Sequence, residues 1–473
     1  MSDRDHAASL PHATLWDSAR RLTPLAWPVF VGQVAVLAFS TIDTLMAARS
    51  GPSDLAALAI GGAAYITIFV GLMGVVMAVG PIAGQLFGAG KDHESGQQLQ
   101  QAMWLALLLS VPGCLLLLFP EPFLWLAQVR PEVVPKVRGH LAALAVALPF
   151  SLLFTAFRGF NTAVSRPRVV MVLQLGALAL KVPLTAILVF GWQVPGGWFT
   201  VPALGAPGCG VATAICMSLQ MALAWAVLRR DPFYRRFGLS PGLGTPHRAS
   251  LAGLVRLGVP MGASIAIEVT GFTFMAFLIS RIGPVPVAGH QVAVNMVSLM
   301  FMVPLALSNA AATLVAQRIG ADDLADARRI GWHGVELGVI VAALMGLCVY
   351  ALREPLVGLY TRDAVVVAAA LPLLAWVVLF HVADAAQTLA AFVLRAWRIA
   401  VVPLVIYAVA IWGVGLGGGY LVAFNTTGLT PAALQGAPGL WAAATAGLTL
   451  AGVGMCTFLS AMLKRQRRLA DSA

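Results

Sequence analysis

The chain has 473 residues, of which 59% are hydrophobic and only 10% charged, and its mean hydropathy is +0.87. About a quarter of the residues of a water-soluble protein are charged, so this composition excludes a soluble globule and predicts a membrane protein. The 30 Lys and Arg residues outnumber the 19 Asp and Glu residues. They lie mainly between apolar runs, which indicates orientation in a bilayer and argues against a nucleic-acid partner.

Twelve mostly apolar stretches follow one another along the chain, each close to the roughly 20 residues that a helix needs to span a bilayer. They predict an all-α, multi-pass membrane protein with 12 transmembrane helices. The stretches lie near residues 25–48, 57–82, 102–119, 140–157, 169–191, 206–228, 257–280, 288–314, 333–352, 366–392, 400–423 and 439–462.

Basic residues predict that both chain ends are cytoplasmic. With that orientation most Lys and Arg residues lie in cytoplasmic segments, as the positive-inside rule requires, and only seven lie in outer loops. One cation, Lys181, fits neither group because it lies within the fifth span. The seven outer residues are Arg49, Arg130, Lys136, Arg138, Arg281, Arg353 and Arg362.

An internal repeat is predicted by sliding the chain against itself. At an offset of 232, residues 22–91 align without a gap with 254–323, including an Arg-x-Gly-Pro cluster and a Gln-x-x-Gly-Ala cluster in each copy. An offset of six spans preserves orientation, so the halves are predicted to be parallel repeats, and their rocking would alternate access to a cleft. The predicted organisation is a six-helix lobe at 1–228, a cytoplasmic linker at 229–252 and a second six-helix lobe at 253–473.

Three acidic residues lie inside predicted spans: Asp43, Glu268 and Asp384. An uncompensated charge at the bilayer centre costs at least about 3 kcal/mol, so such residues usually face a wet cavity and carry function. Glu268 and Asp384 belong to the second half, and together they form a plausible coupling-ion site that binds Na⁺ or shares protons. Asn295 would add a neutral oxygen. The alternative is that these acids are protonated or hydrogen-bonded for packing alone.

Three further kinds of residue within spans have two interpretations each. Lys181 either forms an ion pair with Asp43, which would give that lobe an internal counter-ion, or extends its ammonium toward a membrane interface. His381 precedes Asp384 by three positions, so the two lie on adjoining faces of one helix. Either His381 exchanges a proton with Asp384 or it is a packing residue. Aromatic residues such as Phe380 either line a pocket for lipophilic cations or face lipid and core.

These features together resemble the MATE family (multidrug and toxic compound extrusion), NorM-type branch, over essentially the whole chain. The segments that carry the resemblance are STIDTLMAA around Asp43, GCGVATAI at 208–215, LGVPMGASIAIEVT around Glu268, VAGHQVAVN ending at Asn295, and HVADAAQ around Asp384. The resemblance implies two six-helix bundles in a V shape and a cation antiporter that exports diverse, often cationic, amphipathic drugs.

The resemblance also implies roles for individual residues. Asp43 would be the acid of the N-terminal cavity, and Glu268 and Asp384 the C-terminal acids of cation binding. Pro28 would be the proline at which the first helix bends, and Thr213 a polar residue of the N-terminal lobe.

Two residues depart from the family pattern: Lys181 stands where Asn is common, and Phe380 where some members have Tyr. Lys181 argues against a Na⁺ site in the N-terminal lobe. The choice between Na⁺ and H⁺ stays open, although likeness to Na⁺-using members favours a possible Na⁺ site at Glu268 and Asp384.

Two other functions compete with drug export. A lipid-linked oligosaccharide flippase of a related superfamily would favour several cationic groups in its cavity, whereas only Lys181 is expected within a span. A membrane-embedded enzyme would need gathered catalytic groups, and the sequence has no H-E-x-x-H or nucleophile-elbow motif. The sequence therefore predicts a monomeric secondary transporter of the bacterial inner membrane, without a cofactor, whose partners are small-molecule drugs, Na⁺ or H⁺, and the lipid bilayer.

Overall fold

The computed structural model of the protein describes residues 14–126, 130–193, 200–239 and 243–471, except for the side chains of Leu126 and 467–471. Twelve segments of this described part are helical, long and apolar enough to cross a membrane, so the predicted number of spans is confirmed. Most of these helices extend several residues beyond the predicted apolar stretches, because polar residues at their ends continue the helix outside the apolar core.

The described residues of the first half form eight α-helices, a short antiparallel strand pair and one 3₁₀ helix. In chain order they are α1 (Leu15–Ser50), α2 (Pro52–Val76), α3 (Val79–Gly88), α4 (Asp92–Leu118), α5 (Glu121–Leu126), α6 (Val134–Ala163), α7 (Pro167–Phe190), β1 (Trp192–Gln193), β2 (Thr200–Val201), α8 (Ala206–Arg230) and the 3₁₀ helix Pro232–Phe237. The second span consists of α2 and α3 together.

In the second half, residues 243–471 form another eight α-helices, with a π-helix inside the eleventh span. They are α9 (Arg248–Ser280), α10 (Pro284–Gly320), α11 (Leu324–Ala351), α12 (Arg353–Tyr360), α13 (Ala364–Ala396), α14 (Val401–Tyr407), the π-helix Ala408–Gly418, α15 (Gly419–Ala423), the 3₁₀ helix Ala432–Leu434 and α16 (Ala437–Asp471).

Matching turns occur at the offset of 232 that the sequence comparison identified. α2 and α10 both begin with proline after a glycine, Gly51 or Gly283, whose φ is 149° in each case. Proline is favoured at the first helical position, because its missing N–H would be unpaired there. The turns after α3 and α10 both place a left-handed residue at the equivalent position, Gly90 and Asp322. These equivalences support the predicted internal repeat.

Packing divides the chain into two compact units whose bounds differ from the predicted lobes. The first unit is Val31–Gly262, and the second combines the described part of Met1–Phe30 with Ala263–Ala473. The start of α1 joins the second unit because Leu22, Leu25 and Ala26 are buried in the core formed with α10, α11 and α13. Apolar burial therefore sets these boundaries.

The predicted linker at 229–252 is in part a packed element of the first unit. Tyr234 and Phe237 of its 3₁₀ helix are each only 1% exposed. Phe237 packs edge-on against Phe160 with 5.2 Å between ring centroids, and Tyr234 donates a hydrogen bond to the Asn161 side chain. The two aromatic side chains fix this segment to α6, which charge and turn composition did not indicate.

The glycine-rich end of the eleventh span packs closely against α16. A Cβ atom on Gly447 would lie 2.5 Å from the carbonyl oxygen of Ala410, and one on Gly419 would lie 3.0 Å from Leu440. Small residues at such contacts let two helix backbones approach each other. Tyr407, at the end of α14, is thereby held beside the core of the second unit.

Candidate functional site

The second unit brings Glu268 and Asp384 together through the side chain of Gln387. The Gln387 Nε2 amide donates to Glu268 Oε1 at 3.2 Å and to Asp384 Oδ1 at 2.9 Å. The same nitrogen lies 3.0 Å from the Thr388 hydroxyl. Three oxygen atoms, two of them from carboxyl groups, therefore converge on one point in the interior of the unit.

Helix geometry explains how α13 contributes to this cluster. Asp384 and Gln387 are three positions apart, so their side chains lie on the same face of α13. Asp384 is 4% exposed and Gln387 is fully buried. Glu268 approaches from α9, a separate helix, so the cluster joins two transmembrane elements.

Tyr407 fixes the orientation of the Gln387 amide. Its hydroxyl donates a hydrogen bond to Gln387 Oε1, which leaves the amide nitrogen directed at the carboxyl groups. A second contact from the same span reaches α9, where Trp412 Nε1 donates to the carbonyl oxygen of Ile267 at 3.3 Å. Because Ile267 directly precedes Glu268, this contact holds the backbone beside the carboxyl group.

A buried arginine accompanies the two carboxyl groups. Arg395 is 4% exposed, and its guanidinium lies 4.7 Å from the centre of the Phe392 ring. Arg395 lies in the last turn of α13, which ends at Ala396. A permanent cation is therefore buried on the same helix as Asp384.

The other predicted residues of this half are placed apart from the hydrogen-bonded cluster. Asn295 is exposed on α10 and accepts a 3.5 Å hydrogen bond from Gln291. Phe380 is buried in an aromatic group with Phe272 and Trp441, at centroid distances of 5.7 and 5.3 Å. His381 is fully buried, and neither ring nitrogen has a hydrogen-bond partner among the described residues.

The first unit contains the ion pair that the sequence allowed between Lys181 and Asp43. Lys181 Nζ lies 2.8 Å from Asp43 Oδ1, and the lysine side chain is 0% exposed against 14% for the aspartate. The interpretation in which Lys181 extends to an interface is therefore wrong. In an apolar surrounding the Lys181 ammonium is stabilised by the carboxyl group beside it, so the side chain does not extend to the membrane interface.

Thr213 and a backbone carbonyl complete the surroundings of Lys181. The ammonium donates to Thr213 Oγ1 at 2.6 Å and to the carbonyl oxygen of Cys209 at 3.1 Å. Thr213 in turn donates to the same carbonyl oxygen at 2.9 Å. The Phe39 ring lies 5.5 Å from the ammonium, at the distance of a cation–π contact.

Pro28 lies inside α1, in the part of that helix that belongs to the second unit. It is buried, and the helix continues through it without interruption. A proline in a helix interior removes one backbone hydrogen bond, which makes it a natural position for bending. Its role as a hinge stays a prediction.

The two sites differ in the ions that their side chains suit. Among the described residues no group of three or more His, Cys, Asp and Glu side chains is arranged to hold a metal. The oxygen atoms around Gln387 suit a monovalent cation or a proton shared by the two carboxyl groups. The Asp43 site already contains the ammonium of Lys181.

Comparison with known proteins places these residues in a family context. The MatE family model matches residues 28–187 and 260–421, so the same model matches once in each half. The two matches begin at Pro28 and Pro260, which the self-comparison at offset 232 also pairs.

Several named proteins are similar over nearly the full length. A probable multidrug resistance protein NorM of Aromatoleum aromaticum is 38% identical over 451 residues, covering 95% of this chain and 96% of that protein. The multidrug resistance protein PmpM of Pseudomonas aeruginosa is 32% identical, covering 94% and 92%. The multidrug resistance protein MdtK of Pectobacterium atrosepticum is 33% identical, covering 95% and 96%.

Solved structures share the fold at lower identity. The eukaryotic MATE transporter AtDTX14 superimposes with a TM-score of 0.84 at 19% identity, covering 96% of this chain and 98% of that one. The bent form of the Vibrio cholerae MATE transporter VcmN superimposes with a TM-score of 0.81 at 18% identity, covering 95% and 98%.

Proposed function

The chain belongs to the MatE family, and we propose that it is a cation-coupled multidrug antiporter of the bacterial inner membrane. It exports amphipathic, often cationic, compounds by alternating access and uses no cofactor besides its coupling cation. Support comes from the full-length similarity to proteins named for multidrug resistance and from the 12 helices able to span a membrane. Cytoplasmic chain ends and a monomeric state belong to the same proposal.

The observation that carries the proposal is the convergence of Glu268, Asp384 and Thr388 oxygens on the Gln387 amide nitrogen. Two acids in an apolar interior are costly unless an ion or proton periodically neutralises them. The Gln387 N–H groups supply hydrogen-bond donors to both carboxyl groups. A coupling cation, Na⁺ or H⁺, competes with those donors, so its binding and release change contacts among α9, α13 and α14.

The flippase alternative is less well supported. Its pyrophosphate would need free cationic groups, and the cations to consider are Lys181 in α7, Arg158 in α6 and Arg395 in α13. Lys181 is paired with Asp43, Arg158 contacts Gln33 and Met73, and Arg395 lies over the Phe392 ring. Each of these cations is engaged by side chains of its own unit, which argues against a pyrophosphate substrate.

The test is drug-driven ion counterflow in proteoliposomes, with Na⁺ and H⁺ followed separately. Addition of a cationic drug to one side is expected to move one of the two ions in the opposite direction. Glu268→Gln and Asp384→Asn are each expected to abolish that movement while the protein still inserts into the liposomes.

The matched control is Glu336→Gln, which removes a carboxyl group from the same unit at α11, outside the cluster. It is expected to transport like the parent protein. Normal counterflow in both cluster variants would contradict the carboxyl-pair mechanism, and an absence of drug movement in the parent protein would contradict multidrug export.

A further inference from the structure

Resting on the proposed function, we infer that Lys181 is a tethered cation that occupies the place of a coupling ion in the first unit. While its ammonium is in place, Asp43 takes no coupling ion from solution. Ion coupling in this chain then runs through the Glu268 and Asp384 cluster alone.

The geometry around Lys181 Nζ is that of a monovalent-cation site. Its oxygen neighbours are a carboxylate, a hydroxyl and a backbone carbonyl, at 2.8, 2.6 and 3.1 Å. Oxygen atoms of these three kinds are the ligands that hard cations prefer in proteins. An ammonium has three N–H donors, so three such neighbours match its capacity.

A further buried oxygen lies on the same helix face. Thr185 is one turn after Lys181 in α7 and is fully buried, and its hydroxyl has no hydrogen-bond partner among the described residues. If the lysine side chain were shortened, this hydroxyl would be available beside the other three oxygens.

Neighbouring titratable groups do not provide another counter-charge for Asp43. Asp54 of α2 is paired with Lys136 at 2.8 Å and accepts a hydrogen bond from the Ala206 N–H. His140 of α6 bonds to the Ala206 carbonyl oxygen through Nδ1. Cys209 of α8 directs its thiol at the backbone oxygen of Asp43. Lys181 is therefore the cation that balances Asp43.

The two units differ in charge balance as a result. The Asp43 carboxyl group has the Lys181 ammonium 2.8 Å away, whereas among the described residues no Lys, Arg or His nitrogen lies within 4.0 Å of a carboxyl oxygen of Glu268 or Asp384. A coupling cation from solution therefore neutralises the carboxyl groups of the second unit only.

The first experiment fills the space of a shortened Lys181 with a free ammonium. Purified Lys181→Ala protein in detergent is unfolded thermally with increasing n-propylammonium, a probe that replaces the deleted side chain. We expect a saturable rise in the unfolding midpoint, because a ligand that binds only the folded state stabilises it. The parent protein and the double variant Asp43→Asn/Lys181→Ala are expected not to respond.

This readout does not depend on transport, so it separates failure of the inference from failure of the proposed function. Equal responses of the single and double variants would overturn the inference, as would no response at all. If Lys181→Ala does not fold, Lys181→Met and Asp43→Asn/Lys181→Met are compared instead. The single variant should unfold at a lower temperature than the double, because only it retains an unpaired carboxyl group; equal midpoints would overturn the inference.

A second experiment counts ions in proteoliposomes. In Lys181→Met the ratio of coupling cations to drug molecules is expected to rise by one, since Asp43 now takes an ion from solution. In Asp43→Asn/Lys181→Met the transport that remains should keep the parent ratio. An unchanged ratio in the single variant would show that Asp43 does not exchange Lys181 for a coupling ion.

Discussion

Gln387→Leu tests how far the carboxyl pair depends on the amide that joins it. The substitution keeps an apolar side chain of similar length and removes the donor to Glu268 and Asp384. It also removes the oxygen that accepts from the Tyr407 hydroxyl. Because Gln387 is fully buried, water does not replace these hydrogen bonds without a rearrangement of the helices.

The magnitude follows from the number of bonds lost. Side-chain hydrogen bonds inside membrane proteins contribute about 0.6 kcal/mol on average and at most about 1.7 kcal/mol. Three such bonds give a loss of about 2 kcal/mol, and Tyr407→Phe, which removes one, should lose about 0.6 kcal/mol. Partners that orient ion-binding carboxyl groups typically change ion affinity about 10- to 100-fold, a free energy of similar size.

The assay is the dependence of transport on coupling-ion concentration, measured with thermal unfolding of the same samples. Gln387→Leu is expected to need about 10- to 100-fold more coupling ion for half-maximal transport. The control is Gln291→Leu, which removes an exposed amide of α10 in the same unit and should leave ion affinity unchanged. Equal ion affinities in Gln387→Leu and the control would refute the bridging role.

Two further predictions concern the packing of α9 and the anchoring of the predicted linker. Gly258→Ala should destabilise the protein by about 1–3 kcal/mol, because the new Cβ would lie 2.3 Å from a backbone oxygen of α2. Gly253 has open space around it, so Gly253→Ala should stabilise the protein by about 1 kcal/mol. Thermal unfolding of both variants checks the contrast. The Phe233 N–H and the Arg166 guanidinium hold the pKa of Asp231 below its usual 3.8, so this carboxylate stabilises the fold above that pH and the contribution is lost as the pH falls through the lowered pKa. The difference in unfolding midpoint between the parent and Asp231→Asn should therefore shrink on acidification from pH 6 to about 3, and a constant difference would contradict the assignment.

Helix number and the principal charged residues followed directly from the sequence. A charged side chain within an apolar stretch has few possible partners. Lys181 could therefore either pair with Asp43 or extend to a membrane interface, and the pair is observed. The proximity of Glu268 and Asp384 was expected for a similar reason and is observed through their common partner Gln387. Because ionisable groups are rare in an apolar helix, each one indicates where a partner or a functional site lies.

Neutral polar residues were harder to interpret. Gln387 was visible in the segment HVADAAQ, three positions after Asp384, and this spacing was the signal that could have identified it. Tyr407 gave no comparable signal, because its hydroxyl reaches Gln387 from another span.

Packing boundaries also depend on contacts that a linear sequence does not contain. The break in charge and composition near residue 229 favoured a cytoplasmic linker, and Tyr234 and Phe237 of that segment pack into the first unit. A π-helix at Ala408–Gly418 replaces the α-helix expected for that span, and this span contacts α16 closely. The register of the repeat, in contrast, was readable because its turns contain Gly and Pro at fixed positions.

The role of the carboxyl pair in ion coupling is measured most directly by the binding of the coupling ion to the purified protein, without an ion gradient. Bound radioactive Na⁺ is counted at fixed pH, and proton release on drug addition is recorded in parallel. The carboxyl-pair mechanism predicts saturable binding of the coupling ion that is lost in both Glu268→Gln and Asp384→Asn. Binding of the ion with unchanged affinity in these two variants would contradict it.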